Sequence, residues 1–140
     1  LEKNEFSLKD DKGIELQQLI QLYQSNGWVL YTKSPEDLAN AIKNSLFVLS
    51  IWKKEKLIGL IRIIGDGITI IYIQDILVLP EYQNNGLGKV LMNEVLKKYR
   101  SVRQKVLLAQ NEEYLDHFYT SIGFSDSKLQ NCTAYVMQGS

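Results

Sequence analysis

The stretch Asp75-Ile-Leu-Val-Leu-Pro-Glu-Tyr-Gln-Asn-Asn-Gly-Leu-Gly-Lys-Val-Leu-Met92 passes through three kinds of local structure. An apolar, β-branched run ends at Pro80, which has no N–H to give to a ladder. Gly86 and Gly88 mark a turn. Leu87, Leu91, Val95 and Tyr99, with Met92 and Leu96, then recur at the spacing of an amphipathic helix. The reading is strand, glycine turn, helix. Glycines let a backbone approach a ligand closely, and the free N–H groups of a helix start attract phosphate. On these grounds alone the turn is either a pyrophosphate cradle or a tight turn with a helix cap.

Working outward, Phe6 to Lys9 reads as a short first strand. Leu16, Leu19, Ile20 and Tyr23 give one face of a helix that stops at Asn26-Gly27. Ser34-Pro35-Glu36-Asp37 opens a second helix, with Ser34 as cap, Pro35 at the first helical position and two acids at the positive end of the dipole. Leu38, Ala41 and Ile42 form its buried face. Leu46 to Trp52 and Leu57 to Ile64 read as strands joined across Lys53 to Lys56. Gly65-Asp66-Gly67 turns into a third strand, Ile68 to Leu79, which is the longest and is expected at the centre of the sheet. After the glycine turn and its helix come a strand at Lys105 to Ala109, a helix at Glu112 to Ile122 and a last strand at Thr133 to Met137. The order β-α-α-β-β-β-α-β-α-β predicts an α/β fold, a mixed sheet with helices on both faces. No repeat or low-complexity linker interrupts it, so residues 1–140 are expected to form one domain.

Composition narrows the function classes. The chain has 140 residues, and its sixteen basic and sixteen acidic residues cancel. A general nucleic-acid binder would carry a basic excess, so nucleic acid is not an expected partner. The apolar run from Ile68 to Leu79 is broken by Thr69, Tyr72, Gln74 and Asp75 and is too short and too polar to span a membrane. The single cysteine, Cys132, has no disulfide partner and no companions for a metal, and no signal-peptide pattern opens the sequence. The cytoplasm is the expected compartment, no metal site is expected, and a homodimer is among the assemblies open to such a domain.

Two familiar phosphate-binding patterns do not fit. A Walker-type loop needs Ser or Thr after Gly-Lys, and Val90 follows Lys89. A dinucleotide fingerprint wants a small residue where Leu91 stands. A third pattern does fit. The stretch from Asp75 to Met92 resembles the coenzyme A-binding core of the GNAT N-acetyltransferases, whose signature of Gln or Arg, two residues, Gly, one residue, Gly or Ala corresponds to Gln83, Gly86 and Gly88. Downstream, His117-Phe118-Tyr119-Thr120-Ser121-Ile122-Gly123-Phe124 is similar to a second signature of that family, Phe-Tyr, three residues, Gly-Phe.

The resemblance implies a GNAT-like fold and an enzyme that transfers an acetyl group from acetyl-coenzyme A, its cosubstrate, to an amine. It implies that the pantetheine arm bonds the main chain of Ile76, Leu77 and Val78. The pyrophosphate would lie over Asn84, Asn85, Gly86, Leu87, Gly88 and Lys89, next to Gln83. Val78 N–H would serve the oxyanion, and Tyr119 would protonate the departing sulfur, since a phenol of pKa near 10 keeps its proton at neutral pH. Asp75, the one acid of the central strand, is the candidate to orient or deprotonate the amine, or else a hydrogen-bond hub within the sheet. Tyr72 and Gln74, on the other strand face by alternation, are rival amine contacts. His117, the only histidine, is a further candidate base. Trp28 and Tyr31, in the link between the first two helices, would wall an acceptor pocket for a small-molecule amine, or else Trp28 packs under the sheet. The alternative readings are acetylation of a protein N-terminus or lysine, and a non-catalytic acyl-coenzyme A-binding module. The sequence departs from the family where many members place Asn seven positions before the tyrosine: Glu112 stands there, with Asn111 one position off, so that contact is not carried over.

Overall fold

A computed structural model describes residues 5–139, with the side chains of Leu30 and Tyr31 outside the description. The chain divides after Leu108 into two compact units. The first unit holds β1 (Ser7–Lys9), α1 (Leu16–Ser25), α2 (Val29–Thr32), α3 (Pro35–Lys43), β2 (Phe47–Lys53), β3 (Lys56–Gly65), β4 (Ile70–Val78), α4 (Leu87–Lys98) and β5 (Gln104–Leu107). Its strands form one mixed sheet in the order β1-β2-β3-β4-β5, antiparallel except for the parallel pair β4–β5. The second unit holds α5 (Glu113–Ile122) and a 3-10 turn at Ser127–Gln130.

Helices cover both faces of the sheet, and the register shows which covers which. Val48 lies opposite Arg62, and Arg62 opposite Asp75. Tyr23 of α1 reaches Asp75, so this face carries α1. Phe47, one residue from Val48, points the other way, and its ring meets Tyr99 at the end of α4 at a centroid distance of 5.9 Å. β3 is buried from Leu57 to Ile63, as a strand covered on both sides must be. Its Gly59 has a plain reason: a Cβ there would stand 2.9 Å from both Leu77 O and Ile51 Cγ2.

Local chemistry explains the boundaries. α3 begins with Pro35 at its first turn, acids at Glu36 and Asp37, and Lys43 in its last turn. Ser34 occupies the cap position, but its hydroxyl does not make the expected cap hydrogen bond. The turn into β4 is organised by Asp66, whose carboxylate accepts from the Thr69 hydroxyl and from the N–H groups of Ile68, Thr69 and Ile70. Those donors, the Thr69 hydroxyl first, hold the carboxyl well below the usual carboxylate range.

Three details differ from the sequence-based expectation. The link between the first two long helices contains one helical turn, α2, closed by Lys33 N–H to Val29 O and by the Thr32 hydroxyl on the same oxygen. Thr133 to Met137 does not form a strand: the segment carries no ladder, with Tyr135 93% and Met137 97% exposed. Its alternating β-formers express a preference that only a pairing partner can realise. Finally, β4 does not alternate evenly. Arg62 faces Asp75 while Ile63 faces Ile73, so Gln74 is the extra residue of a β-bulge. Beyond the bulge Tyr72 pairs with Ile64, which puts it on the face of Arg62 and Asp75 rather than the opposite one.

At that bulge sits the main polar feature of the core. Asp75 is 1% exposed, and its Oδ2 accepts from Arg62 Nε at 2.7 Å and from the Tyr23 hydroxyl at 2.8 Å. Arg62 also donates to the Ser45 hydroxyl at 3.4 Å. Burial, then the charge of Asp75, pushes the Tyr23 phenol far above its ordinary range, so it acts only as a donor. Removing one partner of a buried ion pair costs about 3–5 kcal/mol, because the other charge stays buried. Asp75→Asn is therefore expected to lower the unfolding free energy by about that amount in urea melts, and Asp75→Leu combined with Arg62→Met to recover most of it. A change below about 0.5 kcal/mol in Asp75→Asn, the level of an ordinary surface substitution, would show that the pair holds nothing together.

Candidate active site

β5 runs beside β4 only from Ile70 to Ile73. From Gln74 to Val78 the outer edge of β4 has no strand beside it among the described residues. The ladder on the inner side fixes which groups that edge offers. Leu79 N–H donates to Ile58 O of β3 at 2.8 Å, so by alternation Leu77 and Asp75 also turn their main-chain groups toward β3. Ile76 and Val78 turn theirs outward. Of the three residues expected to bond a ligand through the main chain, Ile76 and Val78 face the open edge, while Leu77 belongs to the β3 ladder.

The open edge leads into the glycine turn. Pro80–Tyr82 forms a 3-10 turn, Asn84 takes a left-handed φ of 65°, and Gly86 caps α4 at φ 80°. Asn85 stiffens the turn, its amide lying 3.3 Å from both Tyr82 O and Gln83 O. The first helical bond runs from Val90 N–H to Gly86 O, which leaves the N–H groups of Leu87, Gly88 and Lys89 without intrahelical acceptors. Among the described residues no side chain caps them. A Cβ built on Gly86 would meet nothing within 4 Å. Free N–H groups at the positive end of a twelve-residue helix, next to an open position at Gly86, suit a pyrophosphate. Leu87, Leu91, Met92 and Val95 are buried and hold the helix in place.

Gln83 has a bracing position rather than a ligand-facing one. Its N–H bonds Pro80 O, and its side-chain amide bonds Val78 O at 2.9 Å and Asn26 Oδ1 at 3.2 Å. Lys89 is exposed on the first turn of α4.

The acceptor side is less as expected. Asp75 does not present a carboxylate to an incoming amine: it is buried, and its charge is already held by Arg62. Its position matches the hydrogen-bond hub, not the base. Trp28 stacks edge-on against Tyr23 at 5.9 Å, which ties the acceptor-side link to the same network. The side chain of Tyr31 lies outside the described residues. Tyr72 and Gln74 are partly buried on β4, each with partners of its own.

In the second unit, Tyr119 lies on α5 with its ring edge-on to Phe118 and Phe124. Burial, then the neighbouring Tyr114, raises its pKa, so the phenol keeps its proton. His117 is exposed and lies 3.7 Å from Glu113, one turn back on the same helix. Gly123 ends α5 at φ 114°.

Sequence reasoning missed Tyr23, Asn26 and Arg62. Arg62 carried a signal: it is the one charge within the apolar run Leu57 to Ile64, as Asp75 is in the strand after the hairpin. Asn26 read only as a helix stop.

Comparison with known proteins agrees with this geometry. Residues 16–137 match the acetyltransferase (GNAT) domain family. The uncharacterized N-acetyltransferase ycf52 of Pyropia yezoensis is 31% identical over 129 residues, covering 89% of this chain and 72% of the relative. A GNAT-family acetyltransferase from Streptococcus pneumoniae superposes with a TM-score of 0.84 at 31% identity, covering 96% of this chain and 98% of the other. The PaiA N-acetyltransferase of Thermoplasma acidophilum, solved with coenzyme A, shares the fold at a TM-score of 0.67 and 21% identity, covering 85% and 90%. The chain belongs to the GNAT family of N-acetyltransferases and is an acetyl-transferring enzyme.

Gly86 gives this site its sharpest test. Gly86→Val forces a β-branched residue to a left-handed φ and puts a side chain into the open space beside the helix start. It is expected to weaken coenzyme A binding by at least about tenfold in calorimetry, the equivalent of one charge-assisted hydrogen bond. Unchanged affinity in a folded variant would move the pyrophosphate elsewhere.

Proposed function

We propose that the chain transfers the acetyl group of acetyl-coenzyme A to the primary amine of a small molecule, within one N-acetyltransferase domain and in the cytoplasm. One observation carries the coenzyme half of this reading: the edge of β4 that is unpaired among the described residues leads through the glycine turn to the uncapped N-terminus of α4. A strand-like arm ending in a pyrophosphate matches that sequence of features. Ile76 and Val78 would bond the pantetheine arm, and the N–H groups from Asn84 to Lys89 the phosphates. Bound acetyl-coenzyme A supplies an activated acyl thioester. Val78 N–H is the donor proposed for its carbonyl oxygen, and the Tyr119 hydroxyl the proton donor for the sulfur.

The neutral amine would attack the acyl carbon directly, without an acyl-enzyme: the N–C bond forms as the C–S bond breaks, the sulfur leaves with the Tyr119 proton, and the proton lost by the amine passes to solvent, from which Tyr119 is reprotonated. Trp28 and Tyr31, with Tyr72 and Gln74, are the proposed acceptor contacts. Two aromatics in so short a link, Trp28 and Tyr31, suit an aromatic-walled pocket, and hence a small amine over a protein. Asp75 acts beneath that pocket by holding β4 and α1 together. The direct experiment is an acceptor screen with acetyl-coenzyme A, reading free thiol: small primary amines are expected to turn over, and turnover confined to peptide lysines or protein N-termini would contradict the assignment.

Tyr119→Phe separates chemistry from binding. It should lower turnover by about 10²–10⁴, the usual cost of losing a general acid, and leave coenzyme A affinity unchanged. Wild-type turnover at saturating substrates would return Tyr119 to packing between Phe118 and Phe124.

A further inference from the structure

One polar cluster lies outside the roles described so far. Asn26 closes α1, and its side chain reaches the end of β4. Its Nδ2 donates to Leu22 O at 2.9 Å and to Val78 O at 3.2 Å. Its Oδ1 accepts from Gln83 Nε2 at 3.2 Å, while the same nitrogen donates to Val78 O at 2.9 Å. Each amide nitrogen thus uses both hydrogens, and the Val78 carbonyl uses both lone pairs. The arrangement admits one orientation of the Asn26 carboxamide. Flipped, its oxygen would face the carbonyls of Leu22 and Val78, and its nitrogen would face a donor.

We propose that Asn26 is a positioning residue for the coenzyme-binding turn. Its carboxamide joins the end of α1, the last residue of β4 and the brace Gln83, and so fixes the turn carrying Gly86 relative to the open edge at Val78. The inference rests on the coenzyme reading above, and it adds a residue from a separate helix to that site. It also has a chemical consequence. With the Val78 carbonyl saturated by two side-chain amides, the group that Val78 offers a ligand is its N–H. The clamp ties the turn to α1 through side chains alone. Two amides at 3.2 Å are easily broken singly, but each holds the other in place, so their loss should be coupled.

Calorimetry with coenzyme A on the full chain tests this. Asn26→Asp keeps the shape but sets a carboxylate against two carbonyls, and Gln83→Ala removes the brace from an exposed turn without touching the core. Each is expected to weaken coenzyme A binding by about tenfold, the loss of roughly one to two net hydrogen bonds. The double variant Asn26→Ala with Gln83→Ala should bind little worse than Asn26→Ala alone or Gln83→Ala alone. Unchanged affinity in Asn26→Asp and Gln83→Ala, or losses that simply multiply in the double variant, would overturn the proposal. A lowered melting temperature with unchanged affinity would make Asn26 a helix cap only, which also overturns it. Gly86→Val serves as the control: if it loses affinity while Asn26→Asp does not, only the clamp is refuted. If the wild-type chain does not bind coenzyme A, both the clamp and the coenzyme reading are refuted.

Discussion

The ion pair between Arg62 and Asp75, 2.7 Å long and closed off from water, sits at the level of the sheet where β4 changes its surroundings. Gln74 bulges beside it, and β5 stops pairing with β4 at Ile73, one residue earlier. A buried pair gains little over an apolar pair of the same size, because desolvation offsets most of the attraction. It is therefore poor as a source of net stability and good as a source of register. With Asp75 bound to Arg62 across the ladder and to Tyr23 from α1, a slip of β4 by one residue would leave both charges buried and unpaired.

From that fixed register the rest of the site follows in order. The bulge releases β4 from β5, and the alternation set by Leu79 on Ile58 turns Ile76 and Val78 toward the free edge. Pro80 then ends the strand, and the chain turns through Asn84 and Gly86, both at positive φ, into α4. Beyond that ion pair, the groups this route offers a ligand are main-chain groups and not charged side chains. The functional groups proposed here are main-chain N–H groups aimed by secondary structure, which is how side chains as plain as Ile76, Val78 and Leu87 would surround a site for a highly charged ligand. Asn26 and Gln83 act at the junction by holding the route's two halves at a fixed spacing.

The parts of this arrangement that were legible in the sequence are those encoded locally. Proline after a β-branched run, glycines at a helix start and apolar residues at helical spacing each act within a few residues, and the elements from α1 to α5, the helical turn α2 excepted, fell where those signals put them. What the sequence did not disclose depended on partners distant along the chain. Asp75 stayed open between an available acid and a hydrogen-bond hub because its partners, Tyr23 and Arg62, are fifty-two and thirteen residues away. The face assigned to Tyr72 was wrong because a single bulged residue reverses alternation, and a bulge leaves no local mark. Thr133 to Met137 has the composition of a strand but carries no ladder. Asn26 offered a helix stop and nothing more, since its second role exists only where α1 meets the end of β4.

The central claim is that the open edge of β4 and the N-terminus of α4 form one continuous binding surface. Backbone amide NMR of the chain, titrated with coenzyme A, addresses it residue by residue. The account predicts that the largest amide shifts fall together on Ile76, Val78 and Gly86 to Lys89, with Leu77 and Asp75, bonded inward to β3, much less affected. Saturable binding that moves other amides while Val78 and Gly88 stay unshifted would contradict it.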